Sequence, residues 1–135
     1  MQKVLVCGSF DKLHSGHVRF LKVASEYGEL YVGTGSDYSI EKYKGEKPVC
    51  TEDERLFMLN AIKYVHQAFI NSGEGPMDFI DDITELKPDI FICNEDQDMP
   101  AKRELCNKLG ITYIVLKRTP EPGLPVRTTT NYKNL

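Results

Sequence analysis

Short runs of apolar residues alternate along this chain with stretches whose apolar positions recur at helical spacing. KVLVC (residues 3–7) is a continuous apolar run, the pattern of a strand buried on both faces. From Ser15 onward Val18, Leu21, Ala24 and Ser25 predict a helix that Gly28 stops. ELYVGTGS (29–36) predicts a second strand, and Asp37 with Ser39 opens a short helix that breaks up in KYKGEKP. Thr51 and Glu54 have the spacing of a capping box ahead of a third helix in RLFMLNAIKYV. QAFIN (67–71) predicts the third strand, followed by a turn-rich loop at 72–76. Phe79, Ile80, Ile83 and Leu86 give a fourth helical face that ends at Lys87-Pro88. DIFIC (89–93) predicts strand four, residues 101–109 a fifth helix stopped by Gly110, and ITYIVL (111–116) strand five. Such alternation predicts an α/β fold: a Rossmann-like, doubly wound, five-stranded parallel sheet with helices on both faces. No repeat or linker divides it, so residues 1–135 are expected to form one domain, with 117–135 as a polar C-terminal loop and tail. Ligands of such a sheet bind beyond the carboxyl ends of its strands.

Composition narrows the class. With 41% hydrophobic and 27% charged residues the chain has an ordinary globular make-up. The four cysteines lie far apart, without CxxC pairs or zinc-ligand spacing, which points to buried thiols in a reducing compartment. No signal peptide and no membrane-length apolar run is readable, so a cytoplasmic protein with no membrane partner is expected. A formal net charge of -3 argues against a nucleic-acid binder and leaves room for a small anionic substrate.

The candidate chemistry is concentrated in GSFDKLHSGH, residues 8–17, where strand one hands over to the first helix. Two of the chain's three histidines, His14 and His17, flank Gly16 there. A helix N-terminus offers unpaired N–H groups to phosphate, yet neither GxxxxGK[ST] nor GxGxxG is present. A single histidine at such a place reads as a satisfied polar side chain; a pair around a glycine, with Asp11 alongside, reads as a phosphate site.

GSFDKLHSGH resembles the GTFDxxHxGH signature of the small nucleotidyltransferases, which include glycerol-3-phosphate cytidylyltransferase and sugar-phosphate and phosphopantetheine adenylyltransferases. GSDYSIEKYKGEKPVCTEDER is similar to that family's second-strand segment, lysine-bearing loop and E-x-R helix start. Arg118-Thr119 with Arg127-Thr-Thr-Thr130 is similar to its RTxGISTT element. The resemblance implies transfer of CMP or AMP from a nucleoside triphosphate to a phosphorylated small-molecule acceptor, with release of pyrophosphate. It implies catalytic roles for His14, His17, Lys44 and Arg118. It further implies nucleotide contacts from Gly8, Ser9, Phe10, Asp11, Gly16, Lys47, Arg55, Arg127, Thr128, Thr129 and Thr130, with the tail closing over the phosphates. His66, alone between a helix and a strand, is read as structural. Mg²⁺ is expected on the nucleotide phosphates rather than in a protein cage, and a homodimer is implied.

The chain departs from the family at Asn94-Glu95-Asp96, where relatives carry a glycine-acidic segment, and these residues are assigned to the acceptor side. EPGLPV also separates Arg118 from the threonines. Compact size is similar to that of the glycerol-phosphate enzymes and favours CTP with a polyol or sugar phosphate. The YKGEKPV loop is similar to the heptose-phosphate adenylyltransferases and favours ATP. The cytidylyl reading is the one taken. The alternatives are the heptose-type adenylyltransferase and a non-catalytic nucleotide sensor that has lost its acceptor pocket.

Overall fold

The sheet is built around its first strand. In the computed structural model, which describes residues 1–133, β1 (Lys3–Gly8) pairs in parallel with β2 (Glu29–Thr34) on one side and β4 (Ile90–Asn94) on the other. β3 (Gln67–Ile70) extends the β2 edge and β5 (Thr112–Leu116) the β4 edge, giving the order β3-β2-β1-β4-β5. The expected doubly wound parallel sheet is therefore present. The last two residues of the expected 117–135 tail lie outside the described residues.

Alternation along the strands divides the core in two. Val4, Val6, Leu30, Val32, Ile90 and Ile92 face helices α1 (Ser15–Ser25) and α3 (Glu52–Ala61), meeting Leu21, Ala24 and Leu59. Leu5, Tyr31, Phe91 and Cys93 point the other way, onto Phe79 and Ile83 around α4 (Ile80–Leu86) and Cys106 of α5 (Pro100–Leu109). Period-2 alternation inside continuous apolar runs gives each strand two buried faces. All four cysteines are free, with Cys93 and Cys106 buried.

Several boundaries differ from the sequence reading. α1 ends at Ser25, and its Val18 is 37% exposed rather than part of the apolar face. α3 stops at Ala61 instead of running through Val65, because Ile62 turns extended and the Asn60 side chain accepts the N–H of Ala68, tying the helix end to β3. Thr51 accepts from the Glu54 N–H as expected, but the reciprocal capping box forms elsewhere, at His14 and His17. Ile80 is exposed while Phe79 and Ile83 carry the α4 contact. α2 (Asp37–Lys44) ends at Gly45 with φ 83°, a conformation that favours glycine. The tail adds a short helix, α6 (Thr129–Lys133), absent from the sequence reading.

The chain winds outward from β1 through β2 to β3, then returns to β4 on the far side of β1. The crevice where that order reverses opens at the carboxyl ends of β1 and β4, the place where doubly wound sheets bind ligands. The loop GSFDKLHSGH leaves β1 at this point.

Candidate active site

Between β1 and α1 the backbone is held in an uncommon shape. Phe10 and Lys12 adopt left-handed φ values of 49° and 55°, each costing on the order of 1–3 kcal/mol for a non-glycine residue. Surrounding contacts hold the loop. The Ser9 carbonyl accepts from Thr34 Oγ1 and from Arg55 Nη1, both at 2.9 Å. Asp11 accepts the N–H groups of Val49 and Cys50, each at 2.8 Å, which fastens the lysine-bearing loop to the site. The Phe10 ring is buried, covering Gly8 and standing 5.6 Å from His17.

The two histidines cap the helix they precede. His14 is the N-cap of α1, and its Nδ1 accepts from the Gly16 N–H at 3.1 Å. His17 reaches back so that its Nδ1 accepts from the His14 N–H at 3.3 Å. An imidazole nitrogen that accepts from a backbone amide carries no proton, so both rings hold theirs on Nε2. The rings stack with centroids 3.9 Å apart. Burial, reinforced by the nearby Arg118 and Arg127, lowers the pKa of His14. Burial, then His14 and Arg118, bring His17 down to about 3 against the opposing pull of Asp11. Two neutral Nε2–H donors result, and that of His14 is buried without a partner.

Gly16 lets the tail approach: a Cβ there would stand 2.6 Å from the Arg127 carbonyl and 2.9 Å from the His14 ring. Tyr132 lies 5.5 Å from the His14 ring. Thr128 and Asn131 exchange hydrogen bonds at the start of α6. The inserted EPGLPV segment is pinned to α1 by Glu121, whose carboxylate accepts from Arg19 at 2.8 Å and Lys22 at 2.6 Å.

These groups border a cleft of about 630 Å³. Gly8, Ser9, Phe10, Asp11, Gly16 and His17 line its centre, Lys44 and Lys47 one rim, and Asn94, Asp96, Arg118 and Thr128 to Thr130 the other. Lys44 donates to Ser9 Oγ at 3.3 Å, and Arg118 pairs with Asp96 across the β4–β5 side. Arg127 borders a smaller adjoining cavity that Arg118 shares. His14 sits behind His17, outside the cleft lining, and Glu95 is exposed away from it.

Arg55 occupies a different place from the nucleotide contact that the sequence suggests. It is fully buried, and its guanidinium donates to the carbonyls of Cys50 and Ser9, to Thr34 Oγ1 and to Asp37. It thereby braces the Ser9 loop from behind. The sequence reading also missed Asn71, Asp78 and Lys102, buried polar residues on the cleft floor that no local motif marks. Among the described residues no group of three or more His, Cys, Asp or Glu converges as a metal cage. No described helix is long and apolar enough to cross a membrane.

Neutral donors and guanidinium groups around one point suit a reaction in which negative charge gathers on a phosphorus centre. Comparison with known proteins agrees. A family model described as cytidylyltransferase-like matches residues 5–133. An FAD synthase of Pyrococcus horikoshii is 38% identical over 120 residues, covering 85% of this chain and 78% of its own. One from Methanohalophilus mahii is 39% identical over 110 residues, covering 81% and 73% respectively. A solved lipopolysaccharide core biosynthesis protein from Thermoplasma volcanium superposes with a TM-score of 0.73 at 31% identity, over 90% of this chain and 98% of its own. With the family match running through nearly every element that shapes the cleft, the chain belongs to the cytidylyltransferase-like family and is a nucleotidyltransferase.

Proposed function

We propose that the protein transfers AMP from ATP to the phosphate of FMN, forming FAD and pyrophosphate. The observation that carries this reading is the similarity, at 35–39% identity over more than four fifths of the chain, to relatives named FAD synthase. FAD is AMP joined to FMN through a phosphoanhydride, so making it by nucleotidyl transfer takes ATP and FMN. This reading takes the place of the CTP and polyol or sugar phosphate expected from chain size.

In this reaction an oxygen of the FMN phosphate forms a bond to the α-phosphorus of ATP. The bond from that phosphorus to the bridging oxygen breaks, and pyrophosphate leaves with the electron pair. The acceptor is already an anion, so no protein base is needed. His17, which lines the cleft, donates from Nε2 to the α-phosphate oxygens as charge builds there, and His14 joins it once the bound triphosphate draws its covered Nε2–H into the cleft. Arg118, Arg127 and Lys44 neutralise the triphosphate, and Lys47 and the threonine run close over its far end. Arg55 and Asp11 act as positioning residues for the loop that holds Ser9. Mg²⁺ arrives as part of the nucleotide substrate, coordinated by its phosphates.

A sugar-phosphate acceptor is the second reading, favoured by the full-length match to the lipopolysaccharide core biosynthesis protein. Pyrophosphate release separates the two, with ATP and CTP each crossed against FMN, glycerol 3-phosphate and heptose phosphate in the presence of Mg²⁺. FAD formed only with ATP and FMN supports the proposal. Release that requires a polyol or sugar phosphate overturns it, as does nucleotide binding with no release under any pairing.

A further inference from the structure

Three polar side chains on the cleft floor take no part in the phosphate chemistry. Asn71 follows β3, Asp78 precedes α4 and Lys102 lies in α5; they are exposed by only 3%, 8% and 5%. All three line the cleft. Asn71 Nδ2 donates to Asp78 Oδ1 at 3.0 Å, which orients the carboxylate and leaves the second amide hydrogen free. The other carboxylate oxygen, Oδ2, stands beside Gly35, where an added Cβ would lie 3.2 Å from it. Lys102 Nζ donates to the Gln97 carbonyl at 2.8 Å, one of the three donors an ammonium offers. Ile40, Tyr43, Pro76 and Phe79 border the same part of the cleft with apolar and aromatic surface.

Buried polar groups with spare donors and acceptors are costly unless a ligand completes them. Here the spare valences are the second Asn71 amide hydrogen, the Asn71 Oδ1 that lies buried without a partner beside Gly33, a carboxylate acceptor and an ammonium donor. A cyclic imide presents the complementary edge: carbonyl, N–H, carbonyl. The isoalloxazine ring of a flavin carries that edge at C4=O, N3–H and C2=O, on a flat body suited to apolar walls. Glycerol and sugar phosphates offer only hydroxyls. Cytosine places an acceptor nitrogen where the imide has N–H, and that nitrogen would face the Asp78 carboxylate.

We infer that Asn71, Asp78 and Lys102 form the acceptor-specificity pocket and read the imide edge of the flavin ring. The inference rests on FMN being the acceptor. Asp78 is the discriminating member, because it accepts the N3–H that other acceptors lack. Burial raises its pKa to about 6, with Asp82 adding to the rise and Asn71 and Lys102 opposing it. Cys7 and Tyr43 also face its charge. Above pH 6 the carboxylate accepts the imide N–H in a charge-assisted bond; below it the neutral acid offers only its weaker carbonyl oxygen, so FMN binding weakens on acidification.

Quenching of flavin fluorescence on titration into the full chain tests this directly. Wild type is expected to bind FMN at least about tenfold more tightly than 3-methyl-FMN, the loss of one charge-assisted hydrogen bond. Asp78→Asn is expected to weaken FMN binding by a similar factor, to leave 3-methyl-FMN and ATP binding unchanged, and to unfold no earlier than wild type at pH 7.5. Equal affinity of wild type for the two flavins overturns the inference while leaving FMN as the acceptor, and it does so even if Asp78→Asn fails to fold. Wild-type FMN affinity in Asp78→Asn has the same consequence. Absence of FMN binding by wild type, with turnover of another acceptor, removes the FMN reading itself.

Discussion

His14 does two jobs with its two ring nitrogens. Nδ1 closes the N-terminus of α1 and Nε2 is left as a buried donor with no protein partner. The jobs can be separated by substitution. Asparagine is among the best N-caps, so His14→Asn is expected to keep the melting temperature of the wild type while removing the Nε2–H. Turnover should fall by at least about a hundredfold, the scale of losing one donor to transition-state charge. A variant that folds and keeps its rate would remove His14 from the mechanism. The pair itself was legible because both residues lie in one local motif. Their tautomers were not, since these depend on which backbone N–H each ring meets. Asn71, Asp78 and Lys102 were illegible for another reason: separate elements carry them to the cleft floor, and no spacing in the chain records that meeting.

At the scale of elements, Arg55 is the clearest case of a residue whose place the sequence did not reveal. An arginine one turn into a helix reads equally as surface charge or phosphate ligand, since nothing local reports burial. Yet its guanidinium joins α3 to the β1–α1 loop, to the end of β2 and to Asp37 at the start of α2. Arg55→Met should leave the Ser9 carbonyl and the buried Thr34 hydroxyl short of a donor and cost roughly 1–3 kcal/mol in chemical denaturation, the scale of stranding a buried polar group, while the half-exposed Asp37 is rescued by water. A loss under about 1 kcal/mol, the surface-pair range, would show that the brace is dispensable. Strands were read well because continuous apolar runs have few alternatives. Helix ends were read less well: α3 ends where Asn60 meets Ala68, a contact between elements rather than a local signal.

For the whole molecule, the buried His14 and the half-buried His17 set the response to acid. His17 is held at about 3 and His14 is lowered, so the folded chain refuses protons that the unfolded chain takes up near 6.5. Stability is full above that value and declines as pH falls toward 3, by at most about 1.4 kcal/mol per pH unit for each proton withheld. Asp78 works in the opposite sense: its pKa is raised, so its contribution grows as pH falls from 6 to 3.8. Denaturant titrations at pH 7 and pH 5 should therefore show lower stability at pH 5, with a steeper decline in Asp78→Asn. A flat profile in both proteins would contradict neutral, buried histidines.

The Glu121 clasp on Arg19 and Lys22 has its own bearing on how the molecule works. By anchoring the proline-rich insert beside the phosphate site, it shortens the leash on Arg127 and the threonine run. A short leash holds its cargo at a local concentration on the order of millimolar. On the proposed reading, the tail that already borders the cleft would settle over a bound triphosphate by a movement within one chain, as fast in dilute solution as in a crowded one, and loosened first by salt.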